Sequence, residues 1–420
     1  MDGARTRGHP AALAAIGGMI RGRAPHAVLL VGPAGIGKTT LARDLAAGLL
    51  CTADDIAARP CGACRACRLV AAGHHPDVHR IGPEGPGRQV VIGGPGGKLR
   101  GVRDLLSELA LLPVEGGHRI AIIESASRMN EDAQAALLKT LEEPPAGVTL
   151  ILCADAEEPL LPTIRSRCAR LRLGPVPIRE IEAILSETGV AEPPLAGRLA
   201  RISDGRPGIA IAWARDPEAL QVRDELGRVL LDLLDARPGV RLATVRAAAG
   251  RASRLAAVAD RPADDPGTGP ATAPLRGRGT ARTATGRAPA APTADPPAMG
   301  TAEEPATASD ANSDEETDAG VGTGRTPAAE RRRAAEALIA LWTDVARDLA
   351  LAGRGLPGSV RELGMLDETV TAAAVLDPAA IGAFLDRLGR AGVLLATNVA
   401  PELLLDDLAL TWPRRRAVPA

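Results

Sequence analysis

The sequence predicts an α/β domain, a parallel sheet covered by helices, followed by a largely helical carboxyl-terminal part. Two observations predict it. Apolar strand-like runs alternate with segments of helical periodicity, and helical patterns dominate from residue 176 onwards. Parallel strands need crossover helices, so this alternation is typical of a parallel sheet. The predicted strands are 26–32, 119–125 and 148–154, and the predicted helices around them are 10–20, 40–50, 99–112 and 130–145.

Size and composition indicate a multidomain protein with an aliphatic core. The chain has 420 residues, with no Tyr, one Phe and three Trp, so Ala, Leu, Val and Ile must fill the interior. The formal net charge of −1 gives no overall argument for a polyanion partner. No apolar run reaches the roughly twenty residues that cross a bilayer, so we expect a cytoplasmic protein without a membrane partner. Its six cysteines are then expected to be thiols or metal ligands.

The composition changes along the chain and suggests three domains and an insert. We predict a nucleotide-binding-type domain over 1–174, a helical lid over 175–212, and a helical domain made of 213–259 and 329–415. The stretch 260–328 is rich in Ala, Pro, Thr, Gly and Asp and has few large aliphatic residues. Such a composition cannot bury enough apolar surface to offset chain ordering, so we predict a disordered insert.

The stretch GPAGIGKT fits the phosphate-loop pattern G-x-x-x-x-G-K-[ST] in full, between a predicted strand and a predicted helix. Its glycines let backbone N–H groups surround phosphate, Lys38 neutralises the phosphate oxygens, and Thr39 is placed to hold magnesium. A glycine-rich turn with a chance lysine is the alternative, which the strand and helix disfavour. The candidate nucleotide-binding residues here are Gly32, Pro33, Ala34, Gly35, Ile36, Gly37, Lys38, Thr39 and Thr40.

Four cysteines form the pattern C-x9-C-x2-C-x2-C, namely Cys51, Cys61, Cys64 and Cys67. Four close thiolates in one chain suit a tetrahedral structural Zn²⁺ site. A redox pair within C-x-x-C and a knuckle that binds no metal remain alternatives. The neighbouring histidines and the two remaining cysteines are predicted to be packing or surface residues: His74, His75, His79, Cys153 and Cys168.

The stretch IAIIESAS places an acid, Glu124, at the end of a buried strand. This is the position of the magnesium-linked acid in a nucleotide-binding protein. In an ATPase a second acid usually follows and positions the attacking water, but here the residue is Ser125. A serine cannot act as a general base for water at neutral pH, so the pattern favours weak or absent hydrolysis.

With LLKTLEEPP at 137–145 and IRSRC at 164–168 added to these motifs, the chain resembles the bacterial DNA polymerase III clamp-loader subunits. These AAA+ proteins assemble as a ring of five around primer–template DNA and open the sliding clamp. The resemblance covers most of 8–250 and the helical tail, but not 260–328. It implies a RecA-like AAA+ parallel sheet with a helical lid, followed by an all-α collar that mediates oligomerisation.

Within this family the departures resemble the delta-prime branch more than the hydrolysing gamma/tau branch. Gly208, in GRPGIAIA, stands where motor subunits carry a sensor arginine, and 74–85 is similar to a delta-prime stretch. The resemblance implies a subunit of the DNA-directed DNA polymerase holoenzyme, with gamma/tau and delta as partners and the clamp and DNA reached through the complex. ATP with Mg²⁺ remains open as a ligand. A gamma/tau-type ATPase and a nucleotide-binding scaffold outside replication are the alternatives.

The resemblance also assigns roles to single residues. The arginine of SRC reaches the γ-phosphate on a neighbouring subunit, and here it is Arg167. Arg165 is expected to be a surface or DNA-side residue, and Lys139 and Arg128 are candidates for contact with DNA phosphate. The glutamates of LLKTLEEPP, Glu142 and Glu143, are expected on a solvated helix face, and the three tryptophans are expected to pack in the core.

Overall fold

The computed structural model describes residues 1–22, 24–84, 89–94, 99–115, 117–259, 327–395 and 399–415. The strands are β1 (Ala27–Val31), β2 (Val78–Ile81), β3 (Arg119–Ile123), β4 (Val148–Ala154) and β5 (Ala169–Arg172). The helices are α1 (Pro10–Arg21), α2 (Lys38–Leu50), α3 (Arg65–Ala72), α4 (Val102–Leu109), α5 (Glu131–Glu142), α6 (Pro162–Arg167), α7 (Ile178–Glu187), α8 (Pro193–Ile202), α9 (Pro207–Ala214), α10 (Pro217–Asp232), α11 (Pro238–Ala259), α12 (Ala328–Gly353), α13 (Leu366–Ala374), α14 (Pro378–Leu395) and α15 (Pro401–Thr411).

The five strands form one parallel sheet in the order β2-β3-β4-β1-β5. The predicted fold class is therefore confirmed. Strand β1 lies between β4 and β5, while the chain leaves β1 for β2 at the far edge, so the order reverses beside β1. In open α/β sheets, ligands bind at the carboxyl ends of the strands at such a switch point. The phosphate loop follows β1 at this position.

Both faces of the central strands are buried. Along β1, Val28 and Leu30 face one hydrophobic cluster, which continues into α1, α2 and the helical part of the chain. Ala27 and Leu29 face the second cluster, together with α4 and α5. Burial on both faces explains why these strands are continuous apolar runs in the sequence.

Several predicted boundaries differ from the structure. The predicted helix 99–112 is shorter, because α4 ends at Leu109 and the following Leu111 and Leu112 are exposed. The segment IRSRC supplies the last four residues of helix α6, Ile164 to Arg167. The edge strands β2 and β5 were missed because they are four residues long and carry polar side chains.

The carboxyl-terminal helices pack around α11 and α12. Three of the chain's four aromatic residues meet there, with ring-centroid distances of 5.6 Å for Trp342–Phe384, 5.5 Å for Trp342–Trp412 and 4.7 Å for Phe384–Trp412. Trp213 is also buried, so the tryptophans are core residues as predicted.

The described parts of 1–259 and 327–415 form one compact unit. The predicted insert, 260–328, lies outside the described residues except at its last two positions. The predicted boundaries between sheet domain, lid and collar remain proposals.

Among the described residues, no single helix is both long and apolar enough to cross a membrane. Only the pair 363–374 and 378–395, bent by 120°, meets that criterion of length and composition when taken together.

Candidate nucleotide and zinc sites

The phosphate loop joins β1 to α2 and has the backbone that its glycines permit. Gly35 (φ 77°) and Gly37 (φ 109°) adopt left-handed conformations that side-chain-bearing residues rarely accept. The loop opens on a cleft of about 740 Å³. The predicted nucleotide-binding residues that line it are Ala34, Gly35, Ile36, Gly37, Lys38, Thr39, Thr40 and Glu124.

Lys38 lies at the start of α2 and is 7% exposed. Its ammonium group donates to the carbonyl oxygens of Gly32 at 2.6 Å and Pro33 at 3.0 Å. It also pairs with the carboxylate of Asp155, at 2.7 Å between Nζ and Oδ1. Gly32 and Pro33, predicted as nucleotide-binding residues, therefore contact the lysine through their carbonyl groups.

Glu124 follows β3 at the edge of the same cleft and is bound by an arginine that sequence reasoning missed. Arg80 of β2 donates to Glu124 Oε1 from Nε at 3.1 Å and from Nη2 at 2.5 Å. The next residue, Ser125, has a left-handed backbone (φ 55°). The cleft thus contains the predicted acid, already paired with a cation, and a serine in place of a second acid.

The lid contacts the phosphate loop directly. Gly208, in the first turn of α9, donates its backbone N–H to the carbonyl oxygen of Gly35 at 2.8 Å. A Cβ atom at residue 208 would lie 2.9 Å from that oxygen and 3.1 Å from the Gly35 Cα. A side chain at residue 208 would therefore press on the phosphate loop, which gives the glycine a packing reason at the position where the resemblance led us to expect a sensor arginine.

Arg167 is the last residue of α6, and its side chain is 36% exposed. Its guanidinium donates to Glu142 Oε1 at 2.9 Å and to the carbonyl oxygen of Thr163 at 3.2 Å. Glu142 lies on a solvated face of α5, as predicted, with its side chain 52% exposed, and it pairs there with Arg167 of α6. The proposed DNA-contacting Lys139 is exposed on α5, whereas Arg128 lines the nucleotide cleft.

The four predicted cysteine ligands come together. Their Sγ atoms all lie within 4.8 Å of one another, and those of Cys51 and Cys64 are 3.9 Å apart. A tetrahedral zinc with Zn–S bonds of about 2.3 Å requires sulfur atoms ~3.8 Å apart, so the set fits a closed Zn²⁺ site. Burial opposes ionisation of Cys64, but hydrogen bonds from Cys67 and Thr52 lower the pKa of its thiol to about 6. Such a thiol readily supplies the thiolate that zinc binds.

Of the residues predicted to be packing or surface residues, Cys153, Cys168 and His75 are buried, His79 is half-buried and His74 is exposed. Burial raises the pKa of Cys153 to about 12 and that of Cys168 to about 11. His75 is buried and accepts the Asp77 N–H, while His79 pairs with Glu108 at 2.7 Å. Burial lowers the pKa of both histidines.

The amino-terminal part of the chain matches a known family. The family described as "DNA polymerase III, delta subunit" matches residues 12–177, the region of the sheet and the phosphate loop. The match includes the cysteine cluster, the phosphate loop and Arg167, whereas the contact at Gly208 and the carboxyl-terminal helices lie beyond it.

Individual relatives agree with the match. The chain is 43% identical over 150 residues to the DNA polymerase III subunit delta′ of Pseudomonas aeruginosa, covering 36% of this chain and 43% of that protein. It is 32% identical over 217 residues to the subunit delta′ of Bacillus subtilis, covering 52% of this chain and 62% of that protein. It is also 36% identical over 193 residues to the subunit tau of Escherichia coli, covering 45% and 28%. The chain thus spans about half the length of the delta′ relatives that it matches.

Among solved structures, the chain is similar to a DNA polymerase III gamma subunit-related protein of Thermotoga maritima. The TM-score is 0.34 at 17% identity, covering 59% of this chain and 83% of that chain. It is also similar to a RuvB variant from Thermotoga maritima, with a TM-score of 0.34 at 22% identity, covering 51% and 62%.

Proposed function

We propose that this chain is the delta-prime subunit of a DNA polymerase III clamp loader. In this role it joins gamma/tau and delta subunits in the cytoplasm and helps to load the sliding clamp on primer–template DNA. The observation that carries the proposal is the similarity of residues 12–177, with their phosphate loop, cysteine cluster and Arg167, to the delta-subunit family. Its contribution to the DNA polymerase holoenzyme is mainly structural.

The subunit's own ATP hydrolysis is weak or absent. The residue that would activate water is Ser125, which lacks a basic carboxylate. The position that carries a sensor arginine in motor subunits is Gly208, pressed against Gly35. These two features favour delta-prime over gamma/tau, a distinction that sequence similarity makes less sharply, since a tau subunit also matches at 36% identity.

Arg167 acts on the ATP site of a neighbouring subunit. An exposed guanidinium at the end of α6 can stabilise the charge that develops on a transferred phosphoryl group. Arginines supplied in this way accelerate hydrolysis by about 10³–10⁵ in GTPases. Arg167 must leave Glu142 to do so, and the exposed position of that pair keeps the cost of separation low.

The two candidate sites imply two ligands, Zn²⁺ at the cysteines and ATP with Mg²⁺ at the phosphate loop. Zn²⁺ is held by Cys51, Cys61, Cys64 and Cys67 and closes the knuckle without an open position for catalysis. The loop that ends at Lys38 and Thr39 would hold ATP phosphates, and Thr39 and Glu124 would be the residues available to Mg²⁺. Glu124 pairs with Arg80, so its carboxylate would be shared between the arginine and the metal.

The experiment that tests the proposal is steady-state ATP hydrolysis with primed DNA and clamp. Three samples are compared: the chain alone, the reconstituted loader, and the loader that carries Arg167→Ala. We expect the chain alone to be inactive and the variant loader to be at least tenfold slower than the wild-type loader, at unchanged assembly.

The control is Arg103→Ala, which removes an exposed arginine from α4 and is expected to leave the rate within about twofold, as surface substitutions usually do. Brisk hydrolysis by the chain alone would instead indicate a gamma/tau-type ATPase. Failure to assemble with gamma/tau and delta would indicate a nucleotide-binding scaffold outside replication.

A further inference from the structure

The ammonium group of Lys38 has no hydrogen left for a ligand. A lysine ammonium donates three hydrogen bonds. In this chain they go to Gly32 O at 2.6 Å, Pro33 O at 3.0 Å and Asp155 Oδ1 at 2.7 Å. A phosphate oxygen can reach Lys38 only by replacing one of these acceptors. Two of them are backbone carbonyls of the loop itself, so the replaceable one is the carboxylate.

The backbone places Asp155 beside the loop. It directly follows β4, whose last residue, Ala154, accepts a hydrogen bond from the Gly32 N–H at 3.2 Å. The Asp155 N–H in turn donates to Ser127 Oγ at 3.3 Å. These contacts join the ends of β1 and β4 at the switch point of the sheet, where a nucleotide phosphate would lie.

The Asp155 carboxylate can leave Lys38 and turn into water without unfolding of the chain. It is 37% exposed, compared with 8% for the side chain of Lys38. Rotation of its carboxylate into water would free the ammonium, while retention of the pair would place a negative charge against the incoming phosphate. The second acid of the cleft, Glu124, is bound by Arg80, so it does not take the place of Asp155 on Lys38.

We propose that Asp155 is an internal competitor of nucleotide phosphate for Lys38, and that this ion pair sets how tightly the loop binds a nucleoside di- or triphosphate. The inference rests on the nucleotide-binding loop of the proposed function and adds to it the residue that controls its occupancy. The loop alternates between a self-paired state, with Lys38 on Asp155, and a ligand-bound state, with Asp155 in solvent. The apparent affinity is the intrinsic affinity multiplied by the fraction of molecules in which Lys38 is not paired with Asp155.

The proposal predicts opposite effects of one substitution on binding and on stability. Asp155→Asn removes the competing charge, so nucleotide should bind about tenfold more tightly, the factor that corresponds to one hydrogen bond between charged groups. The same change leaves a buried ammonium without its counterion, so the melting temperature of the ligand-free chain should fall. A residue with a purely structural role would lower stability without tightening binding.

The experiment is calorimetric titration of the full chain with ATP and with ADP, once with Mg²⁺ and once with EDTA. Asp155→Asn and Asp155→Ala are compared with the wild type. The matched control is Glu158→Gln, which removes one exposed negative charge three residues along the chain. The double variant Lys38→Ala/Asp155→Asn tests whether the gain depends on the lysine.

Tighter binding of both Asp155 variants with and without Mg²⁺, absent in the Glu158 control and in the double variant, supports the proposal. Unchanged affinity overturns it. Weaker binding in Mg²⁺ alone also overturns it, because Asp155 would then be a metal ligand. None of these binding results depends on assembly. If the chain joins the loader but the Asp155 variants bind nucleotide no more tightly, only the inference is refuted. If the chain does not join the loader, the proposed function is refuted.

Discussion

At the scale of single residues, two small residues determine what the nucleotide cleft contains and how closely α9 approaches it. Ser125 follows Glu124 at the position where a hydrolysing site was expected to carry a second acid, and Gly208 lets α9 contact the phosphate loop. The second of these can be tested by stability alone, because the cost of a Cβ atom depends on the distances around it.

Gly208→Ala should destabilise the chain. The new methyl group would lie 2.9 Å from Gly35 O and 3.1 Å from Gly35 Cα, both backbone atoms that move only if the lid shifts. We expect the free energy of unfolding to fall by about 1–3 kcal/mol, as for other overpacked sites. Urea denaturation followed by circular dichroism measures it.

The control is Gly250→Ala in α11, where a Cβ would meet nothing within 4 Å. There the substitution should stabilise the helix by up to about 1 kcal/mol. Equal effects at the two positions would argue against a close contact between lid and loop.

At the scale of elements, a buried group of charges joins the lid to the collar. Glu362 is 5% exposed on its side chain and pairs with Arg223 at 2.7 Å and with Arg198 of α8 at 3.0 Å. Arg223, on α10, also pairs with Asp344 of α12 at 3.2 Å. The carboxylate of Glu362 thus joins α8 to α10, and Arg223 extends the group to α12 through Asp344. Breaking a buried pair leaves an uncompensated charge.

Glu362→Gln should therefore lower the free energy of unfolding by about 3 kcal/mol at neutral pH. The control Glu368→Gln, which breaks an exposed pair with Arg228 at 4.0 Å, should cost less than about 1 kcal/mol. Chemical denaturation of both variants measures the difference.

The stability difference between the wild type and Glu362→Gln should also depend on pH. Burial alone would raise the pKa of Glu362, but Arg198 and Arg223 lower it. A lowered pKa means that folding favours the ionised form, so this stabilisation is present at neutral pH. This stabilisation is lost as the pH falls below the ordinary pKa of a glutamate and then through the lowered pKa of Glu362 in the folded state. The stability gap between wild type and Glu362→Gln should narrow on acidification, and a constant gap from pH 7 to pH 4 would contradict the assignment.

The cysteine knuckle is a second element whose order we expect to depend on a ligand. Its sulfur atoms suit Zn²⁺, and the amino terminus packs on it, since a Cβ at Gly3 would lie 2.2 Å from Gly62 N. Cys64→Ser should abolish bound zinc, measured by mass spectrometry of the metal, and lower the melting temperature.

The control Cys168→Ser should keep the metal, because that thiol lies outside the cluster. A chelator should lower the melting temperature of the wild type but not that of Cys64→Ser. Wild-type protein purified with zinc in the medium yet free of metal would refute the zinc assignment.

At the scale of the whole molecule, one hydrophobic cluster runs from a face of the sheet through the lid helices into the collar. Sequence reasoning predicted the central strands and the long helices because each has a strong local period. It missed β2 and β5, because each has only four residues, two of them polar, and so short a run cannot be distinguished from a loop. It therefore also missed Arg80, the partner of Glu124.

The sequence by itself determined the fold class, the phosphate loop and the four cysteines, because these depend on the spacing of residues within short stretches. The cysteines span 51–67, and the loop lies within eight residues. Only the tertiary structure decided the partners of the charged groups. Lys38 and Asp155 are 117 residues apart, and Arg198 and Glu362 are 164 apart. Such pairs depend on how strands and helices are arranged in space, so local patterns carry no signal for them.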